Sequence, residues 1–216
     1  MVVPVSSDRD SDTSNSSQDS DLKSQSSRFW MPAALILAVL GVTVAILNSR
    51  GMLWWCQWDS PLILLSSDVW SKHNSQHLLD PYAWSHFQHG LIFYWVFYLI
   101  AGKRLGLWWL LLLAVTVESG WELLENSPLI IDQYRENTAS LEYYGDSILN
   151  SLGDILACMI GFAVAAKFKF RYSLAIFIGI ELAMILTIRD SLLINILMLT
   201  YPLEIIKNWQ MGGAAL

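Results

Sequence analysis

Charge is scarce in this chain of 216 residues, since only 15% are Asp, Glu, Lys or Arg and the formal net charge is -6. The lack of a basic excess excludes a nucleic-acid binder, because phosphate backbones are held by Lys and Arg. Cysteine is scarce as well. Two cysteines, of which Cys158 lies inside an apolar run, cannot form a disulfide framework.

Apolar residues are abundant instead. They make up 54% of the chain, eleven residues are Trp, and the mean hydropathy is +0.41. Such a composition excludes a disordered protein and argues against an ordinary soluble domain, because that much apolar surface is tolerated only where lipid replaces water. The sequence therefore predicts an integral membrane protein whose partner is membrane lipid.

The first 28 residues differ from the rest. Ten of them are Ser and five are Asp, and Leu22 is the only large aliphatic residue after Val5. A segment of this kind cannot bury enough apolar surface to offset the entropy lost on ordering. We therefore divide the chain into a disordered cytoplasmic tail, residues 1–28, and an integral membrane helical domain, residues 29–216.

Five apolar runs approach the length of about 20 residues that crosses a bilayer as a helix. They are Phe29–Leu47, His86–Ala101, Leu105–Leu124, Ile148–Ala166 and Tyr172–Ile188. A sixth run, Leu192–Tyr201, is too short alone, and an interfacial helix, a half-helix and a bent sixth span all remain open for it. The prediction is an all-α, multi-pass transmembrane helical bundle, with five spans plus a C-terminal interfacial or sixth short span.

The basic residues of the short loops predict the orientation. Lys103 and Arg104 separate the second and third runs, and Lys167, Lys169 and Arg171 separate the fourth and fifth. Because Lys and Arg favour cytoplasmic loops, this pattern places the N-terminus in the cytoplasm. The long acidic loops 48–85 and 125–147 then lie on the outer face.

Ionisable residues inside apolar runs are costly, at about 2.5–3.5 kcal/mol each at mid-bilayer, and therefore need a reason. Glu118, Glu122 and Glu125 share one helical face by their i, i+4, i+7 spacing. A second stripe follows on the fourth run, at the i, i+4, i+8 positions Asp146, Asn150 and Asp154. Glu181 lies near the middle of the fifth run.

All four histidines fall in one stretch of the chain. His73 and His77 lie in the outer loop, and His86 and His89 lie at the outer end of the second run. Together with the carboxylates and Asn126, they predict a polar cavity just inside the outer face.

Three interpretations of this cavity remain open. Buried acids paired with Arg, Lys or His can serve packing alone, as in a purely structural accessory protein. A second interpretation is an enzyme, either a carboxylate-dependent or a metal-dependent hydrolase, since His and carboxylates bind divalent metal ions. The third is proton-linked transport, in which intramembrane acids relay protons.

Four segments carry a resemblance to a known family: Ser67–Tyr82, Ser85–Gly90, Trp121–Pro128 and Tyr143–Asp154. They resemble a family of bacterial inner-membrane proteins known only as domain of unknown function 2585, over roughly residues 50–210. The resemblance implies a multi-pass protein of the bacterial inner membrane without an assigned activity.

A looser similarity is to the VanZ-like membrane proteins. It rests on a histidine-led helix, Glu-x-x-Glu, and the Asp146-x-x-x-Asn150-x-x-Gly153 pattern. The Arg that is usual before this pattern has no clear match, and Asp154 stands where a small residue is common. The similarity implies only a shared fold and a cavity faced by the carboxylates.

The resulting hypothesis is a membrane protein with a polar cavity near the periplasmic face that binds or modifies an envelope or lipid-linked component. Whether it is an enzyme, which metal it holds if any, and its oligomeric state stay open. The candidate catalytic residues are Glu118, Glu122 and Asp154. The candidate ligand-binding residues are Asp146, Asn150, Glu125 and Asn126. The candidate ligands of a divalent metal are His86, His89, His73 and His77.

Overall fold

The computed structural model describes residues 10–58, 64–138 and 140–212, with side chains from residue 29 onward. Within these ranges the chain forms eight helices and no strand. The helices are α1 (Asp10–Ser49), α2 (Ala83–Ala101), α3 (Leu107–Glu125), α4 (Pro128–Asn137), α5 (Ile148–Lys167), α6 (Phe170–Ile188), α7 (Leu192–Thr200) and α8 (Glu204–Met211). The predicted all-α class is confirmed.

Four of these helices are long and apolar enough to cross a membrane: residues Phe29–Ser49 of α1, and the whole of α3, α5 and α6. The 19-residue helix α2 is as long as α3 but is not among these four, and its polar side chains include two His and a Gln. It packs against α5, α3 and α6, so that those polar groups face other helices. The helices indicate a membrane protein, and α2 as its fifth span stays a prediction.

The surface of the bundle is apolar and its interior is partly polar. Leu37, Leu99 and Leu186 are 70%, 80% and 82% exposed, whereas Glu118 and Glu122 are fully buried. This distribution is the reverse of a soluble domain, where exposed leucines are scattered and buried acids are rare. It agrees with a bundle that is surrounded by lipid and encloses a polar site.

Glycines set the close approach of α2 and α5. A Cβ atom added to Gly90 would lie 2.0 Å from the backbone oxygen of Cys158, and one on Gly161 would lie 1.9 Å from that of Phe87. Any larger residue would force the helices apart, as at other small-residue helix interfaces in membranes. Gly120 of α3 has no such role, since its Cβ would meet nothing within 4 Å.

The backbone of the N-terminal region is described from residue 10 onward. Helix α1 begins at Asp10, so the backbone of residues 10–28 continues the helix that enters the membrane domain. Once a helix exists, each added residue gains a hydrogen bond without a new nucleus, which allows extension into a segment of weak propensity. Residues 1–9 lie outside the described residues. The division of the chain at residue 28 stays a prediction.

The C-terminal run is folded into two short helices. Helix α7 has nine residues and α8 has eight, with Pro202 between them. Nine residues of helix reach about 14 Å, which is half of a hydrocarbon core. The chain turns into α7 at Arg189, whose φ of 54° is left-handed. This part of the chain therefore contains half-length helices and no full sixth span among the described residues.

Helix α4 lies within the predicted outer loop 125–147. Ser127 occupies its N-cap position, and Pro128 begins it, where the missing proline N–H costs nothing. The helix is short and strongly polar on one side, and it packs against α3 and α7. It thereby covers the end of the bundle at which α3 ends and α7 begins.

Candidate functional site

Two histidines of α2 meet a glutamate of α3 in the interior. His86 Nδ1 lies 2.5 Å from Glu118 Oε1, and His89 Nδ1 lies 3.1 Å from each oxygen of the same carboxylate. Glu118 is fully buried and accepts from both rings. The i, i+3 spacing on α2 places the two rings on one helix face, which explains why one carboxylate can serve both.

Two further acids surround His86. Glu122 Oε1 is 3.4 Å from His86 Nδ1, and Asp154 Oδ2 of α5 is 4.0 Å from His86 Nε2. We call His86, His89, Glu118, Glu122 and Asp154 the membrane cluster. It joins side chains from three helices, and it contains all three candidate catalytic residues.

Several polar atoms of this region have no hydrogen-bond partner among the described residues. They include both carboxylate oxygens of Glu122, Oδ1 of Asp154, and both amide atoms of Asn150. All three side chains are buried. Because an unpaired buried polar group costs about 1–3 kcal/mol, so many at one place make this region the candidate site.

Asp146 lies just before the start of α5 and is held by Asn126. The Asn126 side chain donates to Asp146 Oδ2 at 2.8 Å, and the Asp146 N–H donates to Asn126 Oδ1 at 2.6 Å. Tyr143 Oη donates to the other carboxylate oxygen at 3.0 Å. Burial raises the pKa of Asp146 to about 6, against these hydrogen bonds, which lower it.

Glu125 is connected to the C-terminal helices. Tyr134 of α4 lies with its hydroxyl 3.0 Å from both Glu125 Oε1 and Asn195 Oδ1 of α7. A single hydroxyl proton can serve only one of these two acceptors at a time. This contact ties α3, α4 and α7 together beside the membrane cluster.

A cavity of about 360 Å³ opens beside the membrane cluster. One part of its lining is polar and includes His86, His89, Asp154, Asp146 and Glu125. The other part is apolar, and its members come from α2, α3 and α7: Ile92, Phe93, Val117, Leu192, Ile196 and Leu199. The volume lies within the range of small-molecule sites in proteins.

The charge of the cavity is one-sided. Carboxylates and histidines line it, and none of the described lining residues is Lys or Arg. A bare anion such as a phosphate is therefore disfavoured, because no cation faces it. A positively charged group or a metal ion is favoured instead.

The structure separates the four histidines, which were predicted to lie at one place. His73 and His77 lie in the loop before α2, and His73 Nδ1 contacts Cys56 Sγ at 3.4 Å. Neither residue lines the cavity. The spacing of the histidines along the chain did not predict this separation, because the backbone of the loop decides where His73 and His77 lie.

The predicted stripe on the fourth run is also divided. Helix α5 begins at Ile148 with Ser147 as its N-cap, whose hydroxyl accepts from the Asn150 N–H at 3.1 Å. Asp146 therefore precedes the helix and belongs to the extended segment held by Asn126. Asn150 and Asp154 remain on one face of α5, where both are buried.

Sequence reasoning missed several residues of the site. Asn74 and Ser75 of the loop, Tyr82 before α2, Tyr134 of α4 and the apolar residues of α7 all line the cavity. Asn195, a polar residue within the apolar run 192–201, was the available signal for α7. The loop residues carried no periodic signal.

Among the described residues, three groups of side chains bring their ligand atoms within 4.8 Å of one another, as a metal site requires. They are His86, His89 and Glu118; His86, Glu122 and Glu125; and Cys56, His73 and His77. The first two overlap at His86, so they describe one centre. Mixed imidazole and carboxylate ligands suit zinc or iron.

The fold and site together define a helical membrane protein with a buried His and carboxylate site beside an amphipathic cavity. Residues 47–212 match the family model described as "Protein of unknown function (DUF2585)". The chain belongs to this family, as its resemblance in four segments implied.

The similar proteins agree with this assignment. A UPF0314 protein of Brucella anthropi is 43% identical over 191 residues, which cover 88% of this chain and 95% of the relative. A UPF0314 protein of Paracoccus denitrificans is 48% identical over 147 residues, covering 68% and 76%. One of Sphingopyxis alaskensis is 43% identical over 184 residues, covering 85% and 95%. No solved structure matches the chain.

Proposed function

We propose that this protein binds an amphipathic component of the bacterial cell envelope. The polar head of the ligand would lie at the membrane cluster, and its apolar chain between α2, α3 and α7. The observation that carries the proposal is the cavity itself, which joins unpartnered buried carboxylate oxygens to an apolar wall. Ligand sites generally combine a largely apolar lining with a few placed polar groups.

The charge of the cavity limits which head groups the ligand can carry. With acids and histidines on the lining and no Lys or Arg among the described lining residues, the complementary head carries positive charge. An amine satisfies this condition. An anionic lipid-linked head would satisfy it only together with a divalent metal ion.

The experiment identifies amphiphiles that co-purify with the protein from a mild detergent, by mass spectrometry. Ile196→Trp fills the apolar wall from α7, and Glu122→Gln removes one negative charge of the membrane cluster. The matched controls are Leu193→Trp, an exposed α7 position outside the lining, and Glu142→Gln, an exposed acid.

We expect one amphiphile class with the wild type and both controls, and a loss of about tenfold or more in the two test variants. Equal recovery with all five proteins, or none with the wild type, would contradict the proposal. If Glu122→Gln instead lowers the melting temperature with no bound amphiphile in any protein, the purely structural interpretation gains support.

A hydrolase is the second candidate function. The observation in its favour is the 2.5 Å contact of His86 with Glu118, because a carboxylate that orients a histidine is the usual arrangement of a general base. His86 Nε2, the other ring nitrogen, faces Asp154. Asp154 would stabilise the charge that develops in the transition state, either directly or through a bound metal ion.

This candidate predicts that His86→Gln retains the amphiphile but stops its conversion. The test compares the chemical form of the co-purified molecule between the wild type and His86→Gln. A substrate that accumulates intact only in the variant supports a hydrolase. Identical molecules in both proteins favour binding without turnover.

The contacts of Glu181 give proton-linked transport less support than the two candidate functions above receive. Its carboxylate accepts from Gln88 Nε2 at 3.0 Å and from the Leu192 N–H at the start of α7 at 3.1 Å. A carboxylate at a helix N-terminus satisfies otherwise unpaired N–H groups, which is a structural role. Proton-coupled uptake into vesicles that is lost in Glu181→Gln would restore the transport alternative.

We also infer that the protein lies in the bacterial inner membrane with its N-terminus in the cytoplasm. The support is the placement of Lys103, Arg104, Lys167 and Lys169 in the two short loops. Reporter fusions after Arg104 and Lys169 should read cytoplasmic, and a fusion after Asn137 periplasmic. The reverse pattern would move the cavity to the cytosolic side.

A further inference from the structure

A second cluster of metal-binding side chains lies outside the membrane helices. Cys56, His73 and His77, which we call the loop cluster, belong to the long connection between α1 and α2. The loop cluster is separate from the cavity, since none of its members lines it. It is also chemically different from the membrane cluster, because it offers a thiol and two imidazoles.

The distances fit a single tetrahedral ion. Cys56 Sγ lies 3.4 Å from His73 Nδ1, and a ligand atom of His77 lies within 4.8 Å of both. With Zn–S bonds of about 2.3 Å and Zn–N bonds of about 2.0–2.1 Å, two ligands of one tetrahedral zinc are about 3.3–3.6 Å apart. The Cys56 and His73 atoms already have this spacing.

Aromatic side chains shield the loop cluster. The Trp55 ring packs edge-on against His77 at 5.5 Å between centroids, and the two histidine rings lie 5.8 Å apart. Lys72 lies over the Trp58 ring at 4.3 Å. His77 is buried, whereas Cys56 and His73 are half-buried. An apolar shell around ligands that remain reachable from outside is typical of protein metal sites.

The loop cluster joins two segments that both cap the N-terminus of α5. The carbonyls of Leu53 and Trp54 accept from the N–H groups of Ile148 and Leu149 at 2.8 and 3.4 Å. On the other side, the Ser147 N–H donates to the Ser75 carbonyl at 2.9 Å. Cys56 lies two residues after Trp54, and His73 and His77 flank Ser75. An ion held by the three residues would therefore clamp both segments over α5.

The second segment is also a wall of the cavity. Asn74 and Ser75, between the two histidines, are buried and line it. Ser75 is additionally held by Asp80, whose carboxylate accepts from its N–H at 3.0 Å. The backbone at Ser75 has a φ of 58°, a left-handed conformation that a residue other than glycine adopts only where its surroundings enforce it. An ion bound by His73 and His77 would hold this strained turn in place.

We infer that Cys56, His73 and His77 bind one zinc ion that fastens the α1–α2 connection to the N-terminus of α5. The fourth position of the tetrahedron is filled by water. A disulfide at Cys56 is excluded within one chain, because the other cysteine, Cys158, lies buried three turns along α5. The inference is independent of the proposed function.

The composition of the site selects zinc among the common metals. One thiolate with two imidazoles suits the borderline-soft Zn²⁺, whereas Mg²⁺ and Ca²⁺ require oxygen ligands. Copper is the competing metal because it also accepts sulfur and imidazole. Cobalt serves as a spectroscopic probe, because thiolate ligation to Co²⁺ gives a charge-transfer absorption in the near ultraviolet.

The experiment uses the full chain in detergent, stripped with a chelator and then titrated with ZnCl₂ or CoCl₂. We expect about one zinc per chain, the thiolate absorption with cobalt, and a melting temperature that rises with zinc. At a free zinc concentration 100-fold above Kd, the stabilisation is about 2.7 kcal/mol. The test variants are Cys56→Ser and His73→Gln. Cys56→Ser should lose the thiolate absorption. Both variants should lose the bound zinc and the rise in melting temperature that zinc causes.

Two controls keep the result specific. Cys158→Ala removes the other thiol, and the double variant His86→Gln/His89→Gln removes the imidazoles of the membrane cluster, so both should bind zinc as the wild type does. The inference is overturned if zinc binding survives Cys56→Ser and His73→Gln but disappears in the double variant. It is also overturned if the stripped wild type binds no zinc, or binds only copper. Should Cys56→Ser fail to fold, His73→Gln decides alone.

Discussion

The membrane cluster and the loop cluster each contain two histidines spaced three or four residues apart, yet they are surrounded by different chemistry. At the membrane cluster, three acids from two other helices face His86 and His89, and a cavity opens beside them. At the loop cluster, a thiol from a distant part of the loop faces His73, and the Trp55 ring packs against His77. The spacing of a histidine pair thus does not decide its chemistry, because the partners that tertiary structure supplies decide it.

The two clusters also depend on different parts of the fold. The membrane cluster requires α2 to lie close to α5, an approach that Gly90 and Gly161 allow. The loop cluster requires the α1–α2 connection to lie over the start of α5. There Gly153 faces the backbone oxygen of Leu78, which a Cβ atom would approach to 1.9 Å. Changes to one contact should therefore affect one cluster more than the other.

The largest expected effect comes from separating α2 and α5. Gly161→Ala places a Cβ atom 1.9 Å from the Phe87 backbone oxygen, so the helices must move apart. Overpacking of this kind costs about 3 kcal/mol, which corresponds to a melting temperature lower by about 6–12 °C. Thermal unfolding in detergent measures this decrease in melting temperature.

Gly120→Ala is the matched control. Its Cβ atom meets nothing within 4 Å, and alanine favours the helix, so its melting temperature should stay equal or rise slightly. Zinc titration of Gly161→Ala tests whether the two clusters depend on different contacts. The loop cluster should still bind zinc in this variant, although the amphiphile is lost. An unchanged melting temperature in Gly161→Ala would refute the close contact of the two helices.

A smaller effect distinguishes two glutamates within the membrane cluster. Glu118 accepts from both histidines, whereas neither oxygen of Glu122 has a hydrogen-bond partner among the described residues. Glu118→Gln should therefore lower the free energy of unfolding by about 1.5–3 kcal/mol, since it removes charge-assisted hydrogen bonds. Glu122→Gln should leave it unchanged or raise it, because the buried carboxylate that it replaces accepts no hydrogen bond among the described residues.

Chemical denaturation of the ligand-free proteins at one pH compares the two variants directly. Zinc binding at the loop cluster should be the same in both. Equal losses of stability in Glu118→Gln and Glu122→Gln would show that Glu122 has a structural partner, and would weaken the assignment of Glu122 to ligand binding.

The smallest expected effect is a pH dependence that belongs to neither cluster. Asp190, between α6 and α7, is buried and accepts from the Tyr82 hydroxyl at 3.1 Å. Burial raises the pKa of Asp190 from 3.8 to about 7, against the hydrogen bonds from Ser191 and Tyr82 that lower it. Between these values the folded state binds more protons than the unfolded state, so stability falls as pH rises toward 7 and levels off above it.

The melting temperature should accordingly be a few degrees lower at pH 8 than at pH 5. Asp190→Asn should reduce this slope. It should not abolish it, because burial also raises the pKa of Asp80 and that of Asp146. A slope of the opposite sign in the wild type, or an identical slope in Asp190→Asn, would contradict the assignment.

Much of the helical framework was predictable from local apolar runs. The run Ile148–Ala166 matches α5 to within one residue, and the run Tyr172–Ile188 matches α6 to within two. The face shared by Glu118, Glu122 and Glu125 is also a local property, since a helix of known period fixes it. By contrast, α4 was not predicted, because it carries no apolar run of spanning length.

What the sequence by itself determined is therefore the class of protein, the long helices and the acids that need partners, because lipid imposes apolar runs and penalises buried charge wherever it occurs. The tertiary structure alone decided which histidine meets which acid, that Cys56 joins His73 and His77, and that α7 supplies an apolar wall. These contacts connect residues far apart in the chain. Their geometry is set by glycine contacts and by loop hydrogen bonds, which leave no periodic pattern in the sequence.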